Sequence, residues 1–294
     1  MEPIIQACTL CPRACGADRR SGRGLCGGGP RVKLARAALH FWEEPCISGK
    51  NGSGTVFFSG CNLKCVFCQN SEISLKNKGV VVSEEKLIRI FEKLIDSGAE
   101  NINLVNPTHY ALQLKALFSK WKCPVPLVYN CGGYESVETL QALNGIVDIY
   151  LPYFKYIRQD KAKKYSRAGD YPQVAEAAIA EMLRQQPNAV FEGGMMKKGV
   201  IIRHLILPGN TNSAIEIIDY CKDHFNGAYL SLMAQYTPCG DLVPYPEISR
   251  KITKREYDKV LSYAVSSGFE NVFVQERSSA DENYIPPFDF TGVM

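Results

Sequence analysis

The sequence predicts an α/β protein in which parallel strands curl into a partial (β/α)6-type TIM barrel behind a small cysteine-rich metal lobe. Three observations predict it. Short β-rich runs alternate with amphipathic stretches from Thr55 onward, the twelve cysteines bunch instead of scattering, and the composition is that of a globular chain. Of 294 residues, 46% are hydrophobic and 22% charged, which supplies a sizeable core and excludes a disordered chain.

Residues 1–50 read as a separate metal-binding segment. Cys8, Cys11, Cys15 and Cys26 lie among Gly, Arg and Pro, and no strand or helix period is evident. So short a segment buries little core of its own, so a metal is expected to staple it. Residues 51–294 form the barrel. Candidate strands are 55–59, 101–105, 126–130, 147–151, 200–207, 228–234 and 271–275. Between them apolar side chains recur at helical spacing over 87–94, 112–118, 137–143, 175–183, 215–221 and 257–264. Ser83, followed by Glu84 and Glu85, reads as a capped helix start with acids at the positive end of the dipole. Six or seven βα units imply a parallel sheet, and an open doubly wound sheet would give the same alternation. In a parallel barrel the strand exits build the active site, and the unusual residues fall there.

Charge and hydropathy narrow the partners. Thirty-four Lys and Arg against thirty Asp and Glu give a net charge of +4 with no long basic run, which lends no support to a nucleic-acid partner. No stretch approaches the ~20 apolar residues of a membrane helix, and Met1 to Cys8 lacks a signal-peptide pattern. The expectation is a cytoplasmic protein without a membrane partner, and in a reducing compartment grouped thiols point to metal, not disulfides.

After the first barrel strand comes Cys61-Asn62-Leu63-Lys64-Cys65-Val66-Phe67-Cys68-Gln69-Asn70. Three thiolates at spacings of four and three can meet one iron-sulfur cluster from a single loop, one ligand short of a closed shell. The open iron could chelate an amine and a carboxylate, which is what holding and reductively cleaving S-adenosylmethionine (SAM) requires. Phe67 would set an aromatic face near an adenine. A zinc knuckle with a distant fourth ligand is the alternative.

This triplet at the end of the first strand resembles the radical SAM superfamily. Cys68-Gln69-Asn70, Asn106-Pro107-Thr108-His109-Tyr110, Asp148-Ile149-Tyr150-Leu151-Pro152, the run from Ile202 to Gly209 and Ile285-Pro286-Pro287-Phe288-Asp289 together resemble an uncharacterised branch of pyruvate formate-lyase activating enzyme homologues. The resemblance implies that Cys61, Cys65 and Cys68 ligate a 4Fe-4S cluster, that SAM is the second cofactor, and that an electron donor such as flavodoxin or ferredoxin is a partner.

The resemblance also assigns cofactor contacts. Asn106 and Thr108 stand where most relatives carry Gly-Gly-Glu for the methionine amine, and a helix cap at Asn106-Pro107 would look the same. Asn130-Cys131-Gly132-Gly133 falls where activating enzymes present polar groups to the methionine, with Cys131 also readable as a small packed hydrophobe. Tyr153 replaces an aspartate that relatives use with a lysine to bind a monovalent cation, which leaves Lys155 to reach a carboxylate or to lie solvated. Arg203, inside an apolar strand, needs an anion: a carboxylate of cofactor or substrate, or a structural ion pair. Gln235, Tyr236, Gln275 and Glu276 are candidates by location, and Glu43 and Glu44 read as a solvated pair.

The four amino-terminal cysteines suit zinc or an auxiliary iron-sulfur cluster, with zinc slightly favoured. The functions left open are activation of a glycyl-radical enzyme, radical modification of a small molecule or peptide, and a non-catalytic iron-sulfur or zinc module.

Overall fold

The computed structural model describes residues 5–275 and 286–294. Ten strands are present among them: β1 (Lys33–His40), β2 (Ser53–Phe58), β3 (Val80–Val81), β4 (Ile102–Val105), β5 (Leu127–Cys131), β6 (Ile149–Pro152), β7 (Val190–Glu192), β8 (Met195–Leu205), β9 (Tyr229–Met233) and β10 (Val272–Val274). The helices are α1 (Pro45–Ser48), α2 (Ser71–Ser74), α3 (Glu84–Asp96), α4 (Ala111–Phe118), α5 (Val137–Ala142), α6 (Gln159–Ser166), α7 (Tyr171–Gln185), α8 (Thr211–His224) and α9 (Lys254–Ser266). Sheet order is β10-β9-β8-β6-β5-β4-β2-β1-β3, with β7 paired antiparallel to β8. The seven strands from β2 to β10 in that order run parallel. All seven expected strands and six expected helices are found, and Ser83 caps α3 by accepting the Lys86 N–H at 3.2 Å.

The period of two sorts side chains between the faces. Val56, Phe58, Leu104, Tyr129, Tyr150, Ile202 and Leu230 point outward and pack under α3 to α9 in two apolar clusters. Val128, Ile149, Leu151 and Ile201 point inward and meet Cys46 and Ile47 of α1. That short helix plugs the end where the strands begin, since the Ile47 carbonyl accepts from Asn101 just ahead of β4. The opposite end, where the parallel strands exit, stays open.

Two expectations need correction. The first fifty residues do contain a strand: β1 pairs antiparallel with β2 and so joins the barrel sheet. Its residues, KLARAALH, alternate poorly because a β-bulge shifts the register between Leu34 and Arg36. Its free edge is covered by the chain's end, where the Phe290 N–H donates to the Ala35 carbonyl and the Ala37 N–H to the Thr291 carbonyl. Helix α6 was also missed, because QDKAKKYS carries too few apolar residues to show a period. Among the described residues no helix is long and apolar enough to cross a membrane.

Candidate active site at the strand exits

The triplet loop leaves β2 through Gly60, whose φ of +99° and 2.4 Å gap between a built Cβ and the Cys26 carbonyl oxygen admit no side chain. Cys61, Cys65 and Cys68 share one apolar cluster, and each sulfur receives a donor: the Leu63 N–H to Cys61, the Ser166 hydroxyl to Cys65 at 2.9 Å, and the Ser74 hydroxyl to Cys68 at 3.2 Å. Burial and the neighbouring Cys65 and Cys61 thiols push Cys68 up to about 12. Three sulfurs on one short loop, within electrostatic reach of one another and each met by a donor, fit a group that takes thiolates and disperses their charge. Their chemistry suits the expected cluster.

Beside the triplet lies an open-mouthed cavity of about 790 Å³, solvent at its mouth included. Every parallel strand contributes to it: Phe57, Val105, Asn130, Tyr153, Arg203, Met233 and Gln275 form one inward layer at the strand exits. A single cavity touched by all seven strands is what a curled sheet produces and an open flat one does not. Gln69 and Asn70 bring the triplet loop onto its wall, and Pro286 closes it from the chain's end.

Of the expected cofactor contacts, Asn130 and Arg203 line this cavity, and Phe67, Asn106, Thr108 and Lys155 do not. The Phe67 ring is buried edge-on against Tyr165 and Tyr236, with centroids 6.2 and 5.9 Å away. Asn106, at φ +59°, donates its amide to the Gly60 carbonyl and its N–H to the Asn130 carbonyl, tying the first three strand exits together. It is no side-chain cap for the 3-10 turn at Thr108–Tyr110. Thr108 is fully buried outside the barrel and donates to Glu135 at 2.8 Å. Lys155 lays its ammonium 3.6 Å from the centre of the Tyr153 ring, so the aromatic face holds the lysine where a carboxylate was expected. Gln235 and Gln275 line the cavity, whereas the Tyr236 hydroxyl is committed to the Ile248 carbonyl. Glu276 and Ile285 lie outside the described residues. Cys131 is buried in the outer apolar cluster, as a packed hydrophobe would be.

Arg203 has its anions within the chain, which corrects the expectation of a cofactor or substrate carboxylate. Its Nε donates to Glu44 at 2.9 Å and its Nη2 to both Glu43 and Glu44. Glu43 and Glu44 are therefore not solvated. They enter the barrel interior from the turn before α1, and the Glu44 side chain is 3% exposed. Burial works to raise the Glu44 carboxyl, but the Arg203 guanidinium outweighs it and holds it below the usual range. The run His40-Phe41-Trp42-Glu43-Glu44 before Pro45, aromatic and acidic together, is the available sequence signal for a site wall.

The amino-terminal thiols form a second group. Cys15 is lowered despite burial because backbone N–H groups and the Cys8 thiol bond it, and Cys26 feels the charges of Cys8 and Cys15. None of the twelve cysteines is in a disulfide. Among the described residues no three His, Cys, Asp or Glu side chains gather as a single ion would need. Arginines dock the lobe: Arg13 donates to the carbonyls of Asn62, Ser166 and Arg167, and buried Arg19 to those of Gly29 and His109. The Cys26 carbonyl accepts the Cys61 N–H at 3.0 Å, so the two cysteine groups share a backbone hydrogen bond.

Glu135 went unnoticed in the sequence. It is 2% exposed, bonded to the Thr108 and Tyr129 hydroxyls, and burial pushes its carboxyl up to about 7.

Comparison with known proteins fits this geometry. An uncharacterised protein of Methanocaldococcus jannaschii is 28% identical over 283 residues, covering 92% of this chain and 78% of its own. Among solved structures, HydG, a maturase of the FeFe-hydrogenase, superposes with a TM-score of 0.52 at 10% identity over 79% of this chain and 53% of HydG. Methylornithine synthase (PylB) gives 0.50 at 13% identity over 73% and 60%. The chain thus spans little more than half the length of these two structures, and at such identities they speak for the fold alone. The sequence pattern of the Radical SAM superfamily matches residues 55–275, from the first parallel strand to the exit of the last, and the chain belongs to that superfamily.

Proposed function

We propose that Cys61, Cys65 and Cys68 hold a 4Fe-4S cluster at the mouth of the barrel, and that the chain binds SAM beside it and abstracts hydrogen from a substrate in the adjoining cavity. When bound, cluster and SAM supply the 5′-deoxyadenosyl radical; the chain supplies orientation and exclusion of water. The observation that carries the reading is the placement of the three thiols, with donors on each sulfur, beside a cavity that all seven parallel strands line.

The chain's own groups have definable tasks. Ser166 and Ser74 point hydroxyls at cluster thiolates, which stabilises their charge. Asn130 presents a polar side chain to the cavity. Lys155, braced on Tyr153 and close enough to offset the charge of Cys61 and Cys68, balances the thiolates or meets a carboxylate of SAM. Asn106 and Thr108 act through position: one ties the strand exits, the other orients Glu135. The four amino-terminal cysteines are a second metal site, zinc or an iron-sulfur cluster.

The resemblance to pyruvate formate-lyase activating enzyme homologues favours a glycyl-radical enzyme as substrate and flavodoxin or ferredoxin as electron donor. Tyr153 in place of the expected aspartate favours the second reading, a small molecule or peptide. Anaerobic reconstitution with reductant and SAM should release 5′-deoxyadenosine and methionine. A glycine-centred paramagnetic signal with a glycyl-radical partner would select the first reading. Reconstituted protein that binds SAM but never cleaves it would leave only an iron-sulfur or zinc module.

A further inference from the structure

The barrel floor has a charge balance that the cofactor reading does not use. Glu43 and Glu44 bring two carboxylates against the single Arg203 guanidinium, leaving one negative charge in a wall 3–10% exposed. Among the described residues no other charged group on the floor cancels it. His40 is pushed down by burial and so is neutral at pH 7, the Tyr153 phenol is raised to about 12, Arg36 is paired with Asp289, and the Lys155 ammonium lies over the Tyr153 ring, toward the triplet thiols.

Two amide oxygens add to this. Asn103, fully buried on β4 one layer below Val105, donates Nδ2 to Glu43 Oε1 at 2.9 Å. A carboxylate only accepts, so this bond fixes the amide orientation and leaves Oδ1 as an acceptor, and Oδ1 has no partner. Gln275 Oε1, on the cavity wall, is likewise buried without one. An uncompensated carboxylate charge and two waiting acceptors call for a ligand that brings both N–H donors and positive charge. Trp42 lines the same cavity.

We propose that Glu43, Asn103 and Gln275 recognise a cationic nitrogen, an ammonium or guanidinium, on the substrate, and that this group selects what the radical meets. The inference rests on the reading of the cavity as the substrate site. It is tested with the reconstituted full chain holding SAM, by calorimetric titration with four probes: the N-acetyl amides of lysine, arginine, norleucine and glutamate. The lysine or arginine probe should bind at least ten-fold more tightly than norleucine, and whichever leads identifies the nitrogen. Glu43→Gln should abolish that preference, and Gln275→Glu, which adds a charge at the rim without touching the ion pair, should increase it several-fold. Equal binding, no binding, or a preference for the glutamate probe overturns the proposal, as does Glu43→Gln weakening SAM as much as the probes. SAM cleavage by the same preparation is scored separately: if it fails while the cationic preference holds, the radical reading falls and the cation site stands.

Discussion

Two groups of cysteines, joined by one hydrogen bond from the Cys61 N–H to the Cys26 carbonyl, are built on opposite principles. The triplet loop is held by the barrel. It sits in the largest apolar cluster, Phe67 is locked among tyrosines, and two serine hydroxyls from outside the loop's own turn aim at its sulfurs. Among the described residues the amino-terminal lobe's own buried cluster is Ile5, Cys8 and Leu10, and the lobe leans on arginine-to-carbonyl bonds and on Leu10's contacts with Ser136 and Thr139. The barrel can shape the first group before any metal arrives, whereas the second has too little core to do so. A metal held at the triplet would therefore serve chemistry, and one held at the lobe would serve folding.

The comparison can be broken in four ways, the largest effect first. Cys65→Ala should abolish SAM cleavage, a loss of 10³-fold or more, yet shift thermal unfolding little. Extensive unfolding instead would show that the triplet loop too depends on its metal. Arg203→Met leaves two buried carboxylates unpaired and should cost about 3–5 kcal/mol in denaturant unfolding. An unchanged midpoint would mean the floor relaxes around the loss. Cys11→Ser should open the lobe to proteolysis between Cys8 and Cys26 and remove the second site's metal, while iron at the triplet is retained; intact lobe protection without metal would erase the contrast drawn above.

The smallest effect sharpens the seam between the two regions. Burial raises the Glu135 carboxyl to about 7, above its unfolded value, so its neutral form is the one the fold favours. Its contribution is complete below about pH 4.5 and is lost as pH rises through 7, on the order of 3 kcal/mol in all. Glu135→Gln should flatten stability across that window and raise the melting temperature at pH 8 relative to the native chain. Parallel pH slopes for the two proteins would refute the assignment.

The parallel strands were legible because they are buried on both faces and read as apolar runs, and their helices because α3, for example, sets Leu87, Ile90, Phe91 and Leu94 on one side. Strand β1 was not, since its bulge breaks the alternation and most of its residues are only partly buried. The triplet was legible because its ligands come from one short loop. Glu43, Glu44 and Glu135 were not, because what marks them is a partner 27 to 160 residues away.

By itself the sequence determined the class of chemistry and the alternation of strands and helices, since both rest on local spacing: three thiols in eight residues, and periods of two and 3.6. Only the tertiary structure decided that Arg203 answers to Glu43 and Glu44, that Lys155 rests on Tyr153, and that among the described residues two carboxylates face one guanidinium on the barrel floor. Charge pairing is settled by distance in space, and curling the sheet is what brings the turn before α1, the end of β6 and the end of β8 within reach of one another.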